Sequence, residues 1–214
     1  MTTLLIATRN PHKVGEIRAL LGENFRCLTL KDFPAAPEVI EDAATFAGNA
    51  TKKAVELAAW LAADSRFTFH DSRAFILADD SGLEVDALHG APGVHSARFA
   101  AMDINENSPD GDNNAKLLRL LKDVPLEKRS ARFRCVIALV EINRPSAIGH
   151  RQLFEGACEG RIIFSPRGQN GFGYDPLFVP DGFDQTFAEL GDAVKNQVSH
   201  RAKALARLRE KMGS

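Results

Sequence analysis

Two adjacent acids, Asp79 and Asp80, follow the apolar run Phe75-Ile76-Leu77-Ala78 and precede Ser81-Gly82. Carboxylates placed directly after a buried strand lie at the mouth of a sheet, where burying them unpaired is costly. A divalent cation removes that cost, and Mg²⁺ in particular takes hard oxygen ligands from one or two carboxylates together with substrate phosphate. Successive strand residues face opposite ways, so only one of the two acids easily faces such a site. Glu38, Glu41 and Asp42 are the candidates for a second ligand. The plainer reading of Asp79 to Gly82 is an acidic turn.

A second group is Thr8-Arg9-Asn10-Pro11-His12-Lys13, between the apolar run Leu4 to Ala7 and a helix-like pattern. A strand-to-helix turn aims backbone N–H groups and the positive helix end at one point, which suits phosphate. Lys13 adds a point charge, and Thr8 and Asn10 add neutral donors. An ordinary polar turn with a solvated lysine also fits. Neither GxxxxGK[ST] nor GxGxxG is present, so a P-loop and a Rossmann turn are excluded. In the glycine-rich run Gly168 to Pro176, glycines let backbone approach a ligand closely, and Phe172 and Tyr174 are rings that could stack on a base. Lys195, Ser199, His200 and Arg201 place a cation before a helix and donors on its first turn, able to read a keto oxygen.

The elements that must hold these residues follow from periodicity. Leu4 to Ala7, Phe25 to Leu30, Phe75 to Ala78, Arg132 to Ile142, Gly149 to Cys158 and Leu177 to Val179 read as strands, with Leu83 to Asp86 resuming extended structure. Asn143 to Ser146 reads as a hairpin turn, which makes the sheet mixed. Helices are predicted from Lys13 to a stop at Gly22, from a Thr45 cap along the stripe Phe46, Ala50, Ala54, Leu57, Ala58 and Leu61, and from an Asp112 or Asn113 cap. Near the C-terminus, Thr186 and Glu189 have capping-box spacing, and Ser199 caps a last helix bearing Ala202, Leu205 and Leu208. Asp64 to Arg73 reads as a loop or hairpin.

The 214 residues suit one domain or two joined lobes, with 44% apolar residues to fill a core. The 27 basic and 28 acidic residues nearly cancel, so no global field is available to hold a nucleic acid. Cys27, Cys135 and Cys158 form no CxxC pair and read as reduced thiols of a reducing compartment. Neither a signal peptide nor a membrane-spanning run is expected, which implies a soluble cytoplasmic protein without a membrane partner.

Taken together, TRNPHKVGEI from Thr8, LADDSGLEVDALHGAPGVHSARF from Leu77, GFGYDPLF from Gly171 and SHR at Ser199 to Arg201 resemble the ordered motifs of the non-canonical purine nucleoside-triphosphate pyrophosphatases, the inosine triphosphatase family. The resemblance covers nearly the whole chain. It implies an α/β fold of two lobes, a central mixed sheet flanked by helices with the nucleotide cleft between lobes, forming a single pyrophosphatase domain over residues 1–214 and a homodimer. It implies Mg²⁺-dependent cleavage of dITP, ITP and XTP between the α- and β-phosphates, with Mn²⁺ as a substitute. Carried over by position, Thr8, Arg9, Asn10, Pro11, His12, Lys13 and Lys195 hold the triphosphate. Asp80 is metal ligand and general base, and Glu41 helps hold the metal. Ser81 sits in the substrate pocket, Phe172, Gly173, Tyr174 and Asp175 line base and sugar, and His200 and Arg201 contact the oxo edge. One departure is Gly48, where the family usually has glutamate before the Asn-Ala pair, which implies a later helix start or a kink. The rival readings are a pyrophosphatase for modified pyrimidine triphosphates and a nucleotide-binding module that does not hydrolyse.

Overall fold

A computed structural model describes residues 1–63, 73–101, 107–142 and 150–213. The expected loop over Asp64 to Arg73 lies almost wholly outside them, as does the expected turn at Asn143 to Ser146. Among the described residues, six strands, β1 (Thr2–Ile6), β2 (Phe25–Thr29), β3 (Ala74–Val85), β4 (Ser130–Glu141), β5 (Arg151–Ile162) and β6 (Phe178–Pro180), form one sheet in the order β2-β1-β3-β4-β5-β6. β1 runs parallel to β2 and β3, and β5 runs antiparallel to β6, so the sheet is mixed as expected. The helices are α1 (Pro11–Leu21), α2 (Phe46–Ala63), α3 (Asp110–Leu120), α4 (Phe187–Val198) and α5 (His200–Met212). Among the described residues, no helix is long and apolar enough to cross a membrane.

The chain forms two compact units. The first comprises Met1–Asp80, Val136–Glu155 and Ala204–Ser214. Its centre is β1, whose Leu4, Leu5 and Ile6 are buried with parallel neighbours on both sides, which explains an unbroken apolar run rather than alternation. Ile17 and Leu21 of α1, Leu57 and Leu61 of α2, Ile76 and Leu77 of β3, and Leu205 and Leu208 of α5 complete this core. The stripe predicted for α2 is buried throughout, from Phe46 to Leu61. Gly48 does not delay the helix, because α2 starts at Phe46 with the Gly48 N–H donated to Thr45 Oγ1. A Cβ at Gly48 would stand 2.7 Å from Ala43 Cβ, so glycine leaves room for the turn that leads into the helix.

The second unit comprises Ser81–Cys135 and Gly156–Lys203. Leu83, Val85, Phe99, Leu117, Leu121, Phe133, Tyr174, Leu177, Phe178 and Phe187 pack its core. α3 starts at Asp110 after Pro109, ahead of the expected Asp112 or Asn113 cap, with no side-chain cap. Pro109 takes the N-cap position, and its carbonyl accepts from the Asp112 and Asn113 N–H groups at 3.0 and 3.2 Å. The Thr186–Glu189 capping box forms in both directions at α4, at 3.2 and 2.8 Å. Ser199 Oγ accepts from the Ala202 N–H at the start of α5. Cys135 and Cys158 are buried and form no disulfide, and burial pushes Cys158 up to about 11.

Candidate functional site

β3 overturns one expectation. It does not stop at the acids but continues through Asp79, Asp80 and Ser81 to Val85. What ends there is its parallel partner: Ile6, the last residue of β1, lies opposite Leu77, and the Ala7 N–H bonds the Leu77 carbonyl. The acids therefore lie just past the carboxyl end of β1, the place where open α/β sheets collect ligand groups, although they are mid-strand in β3.

In the first unit the two acids take different partners. Asp79, fully buried, pairs with Lys13 of α1 at 2.6 Å. Asp80, also buried, accepts a 3.0 Å hydrogen bond from Asn49 Nδ2 of α2. Lys53, one turn after Asn49, donates to the Asp79 carbonyl at 2.7 Å and to Glu41 at 2.8 Å, and its ammonium stands 3.9 Å from Asp80. Burial pushes the Asp80 carboxyl up to about 6, against the pull of the Lys53 and Lys13 ammoniums, with Glu41 adding to the rise. Asn49 and Lys53 were missed from the sequence, although Asn49 is polar within an apolar stripe and Lys53 follows it on the same helix face.

The turn before α1 is organised differently from expectation. Asn10 caps the helix: its Oδ1 accepts from the N–H groups of His12 (2.9 Å) and Lys13 (3.2 Å), Thr8 Oγ1 accepts from the Asn10 N–H, and Pro11 has no N–H. The backbone donors expected to aim at phosphate are thus taken up locally, and Lys13 is held by Asp79 rather than standing as an unattached charge. Arg9 donates to the Ala36 carbonyl at 3.0 Å, which ties the turn to the loop that leads to Glu41. Glu38 is exposed, and Asp42 forms an exposed pair with Lys52, so of the three candidate second ligands Glu41 alone joins the Lys53–Asp80 cluster.

Among the described residues, no group of three or more His, Cys, Asp and Glu side chains converges as a metal cage. Asp80 and Glu41, both near the Lys53 ammonium, are a donor set of two hard carboxylates. That is too few for a structural zinc or calcium site and suits a cation that completes its shell with water and phosphate, as Mg²⁺ does.

In the second unit the loop Gly168–Pro176 is fixed from within. Asp175 Oδ2 accepts from the Phe172 N–H at 2.9 Å and from Lys195 Nζ at 2.5 Å, and a Cβ at Gly171 would collide with that carboxylate. Lys195 lies 4.6 Å from the centre of the Phe172 ring. It stands ahead of α5 as expected, and it does so in the last turn of α4, where the helix dipole favours a cation. Tyr174 is buried and donates its hydroxyl to the Ser96 carbonyl, so its ring belongs to the core, and the half-buried Phe172 is the aromatic of the loop with accessible surface. Arg201 is buried and donates to Ser81 Oγ at 2.8 Å. The buried His200 ring stacks on Phe133, 4.9 Å between centroids and 14° between planes. Gly173, Asp175, Lys195, Ser81, His200 and Arg201 therefore fall in one unit, and Thr8 to Lys13, Glu41 and Asp80 in the other.

Proteins of known family match nearly the whole chain. Residues 4–211 match the Ham1 family. A protein of Geobacter sulfurreducens named dITP/XTP pyrophosphatase is 49% identical over 100% of this chain and 98% of its own length, and one of the same name from Shouchella clausii is 45% identical over 98% and 96%. A HAM1 protein structure from Coxiella burnetii superposes with a TM-score of 0.80 at 35% identity, covering 100% of this chain and 99% of the other. A nucleoside-triphosphatase / dITP/XTP pyrophosphatase structure from Mycobacterium abscessus does so at 0.69 and 40% identity, over 96% and 98%. The α/β sheet, the motif blocks and these full-length likenesses coincide, and the chain belongs to the Ham1 family.

Proposed function

We propose that this chain hydrolyses non-canonical purine nucleoside triphosphates (dITP, ITP and XTP) to the nucleoside monophosphate and pyrophosphate, which keeps them out of DNA and RNA. The observation that carries the reading is the buried Asp80 carboxyl, raised to about 6 and framed by Asn49, Lys53 and Lys13. A carboxylate with that value is ionised at neutral pH yet more basic than an exposed aspartate, which suits a group that takes a proton from water attacking the α-phosphorus. Lys13 and Lys53 supply positive charge beside it and would offset charge on the departing pyrophosphate. Asp80 and Glu41 would hold Mg²⁺, or Mn²⁺ in its place, and when bound the ion supplies charge neutralisation on the triphosphate oxygens.

In the second unit, Arg201, fixed by Ser81, and His200, fixed by Phe133, carry donors for a 6-oxo group, where an adenine amino group would present a donor instead. Phe172 offers a ring face for the base, and Lys195, held by Asp175, is assigned to the same loop rather than to the triphosphate. The family resemblance supports assigning one domain over residues 1–214, a homodimer and a cytoplasmic location.

A substrate panel of dITP, XTP, dGTP and 5-methyl-UTP read by pyrophosphate release tests the function. The expected order places dITP and XTP first. Preferential turnover of 5-methyl-UTP would establish the pyrimidine reading, and tight dITP binding without pyrophosphate release would establish a binding module.

A further inference from the structure

The loop that carries Phe172 is held from outside as well as from within. Asp110 and Asn114 stand one turn apart on α3, so their side chains share a helix face. Asp110 Oδ2 accepts from the Gly173 N–H at 2.6 Å, and Asn114 Nδ2 donates to the Gly173 carbonyl at 3.0 Å. The first bond fixes the peptide between Phe172 and Gly173, and the second fixes the peptide between Gly173 and Tyr174. The peptide before Phe172 is already fixed, since the Phe172 N–H is bound to Asp175. Both peptide groups that set the φ and ψ of Phe172 therefore end on carboxylates. Gly173 itself has φ +63°, and a Cβ there would meet nothing within 4 Å, so glycine is needed for its backbone conformation and not for space.

Asp110 is an exposed first-turn acid, yet α3 has no side-chain cap, and the carboxylate is turned to the loop instead. An exposed charge-assisted hydrogen bond adds little to global stability, so its effect belongs to the local geometry it imposes. That geometry is the position of the Phe172 ring relative to Lys195.

We propose that Asp110 and Asn114 are positioning residues for base recognition, a clamp on Gly173 that holds the Phe172 ring in its binding orientation. The inference rests on the assignment of the Gly168–Pro176 loop to the base. Both residues belong to the second unit, with the loop assigned to the base, so the clamp should act on the nucleoside half of the substrate alone.

The test measures steady-state dITP hydrolysis together with product inhibition by dIMP and by pyrophosphate, in wild type, Asp110→Ala, Asp110→Asn and Asn114→Ala. Removing either side chain is expected to raise the KM for dITP and the dIMP inhibition constant about five- to tenfold, with kcat and the pyrophosphate inhibition constant changed less than about twofold. Asp110→Asn keeps an oxygen that can accept from the Gly173 N–H and should recover most of the loss. Equal weakening of dIMP and pyrophosphate, an unchanged dIMP constant, or an Asp110→Asn variant as impaired as Asp110→Ala would each overturn the clamp. If Asn114→Ala does not fold, the exposed Asp110 variants decide the matter by themselves. A wild type that releases no pyrophosphate from dITP removes the functional reading and the clamp with it, whereas an active wild type with an indifferent Asp110→Ala removes the clamp alone.

Discussion

In its proposed role as base, Asp80 meets two opposing demands, since the burial that raises its basicity also makes its charge costly to the fold. Its folded value of about 6 lies above the ordinary aspartate value of 3.8. The proton is thus bound more tightly in the folded chain, and the associated stability is fully present below the unfolded value and lost as pH rises through about 6. Asp80→Asn removes this penalty while leaving an oxygen for Asn49. In metal-free protein at pH 7.5 it should raise stability by about 1–3 kcal/mol, a gain that vanishes near pH 4, while lowering kcat at saturating Mg²⁺ by at least about a thousandfold. Denaturant melts at the two pH values and turnover assays check both halves, and near-normal turnover would remove Asp80 from the mechanism. Lys53 gives a second expectation. Its charge lowers the Asp80 value, so Lys53→Met should move the acidic limb of the kcat/KM profile, taken at fixed Mg²⁺, to higher pH. An unmoved limb would separate Lys53 from Asp80. The buried, partnered placement of Asp80 was legible in the sequence because two acids directly after four apolar residues need an explanation. Asn49 and Lys53 were not, because polar residues in a helix read as its solvated face until the strand behind them is known.

At the scale of elements, local signals were most readable where they close on themselves. The Thr186–Glu189 box and the Ser199 cap each involve residues three apart and formed as expected. The end of β3 was misread because only its register against β1 shows that the partner strand stops there while β3 continues, and register is a long-range property. Gly48 was misread for a related reason. Its propensity cost is local, but its benefit lies in Ala43, five residues back, whose N–H donates to Asn49 Oδ1 at 2.9 Å. Gly48→Ala should therefore forgo the usual helix-propensity gain of about 1 kcal/mol. The added methyl displaces the Ala43–Thr45 turn and, through Asn49, disturbs the partner of Asp80. A net loss of stability with a several-fold drop in kcat/KM is expected, and a more stable, fully active Gly48→Ala variant would refute this coupling.

At the scale of the whole molecule, the 27 basic and 28 acidic residues leave no field to draw in a polyanion from a distance. The structure adds that the key cations are matched one by one: Lys13 with Asp79, Lys53 with Glu41 and Lys195 with Asp175. With Asp80 also beside Lys53, carboxylates match or outnumber these ammoniums, so the clusters present directed donors rather than a broad positive surface, and a triphosphate gains its attraction only within a few ångströms. Salt screens charges over about 8–10 Å at physiological ionic strength, and that length exceeds the range over which these pairs act. The kcat/KM for dITP should accordingly change less than about threefold between 20 and 200 mM NaCl at constant free Mg²⁺, unlike an electrostatically steered association, which falls steeply with ionic strength. A tenfold fall over that interval would mean that substrate capture depends on a long-range field, and that the pairing of Lys13, Lys53 and Lys195 gives way before the nucleotide arrives.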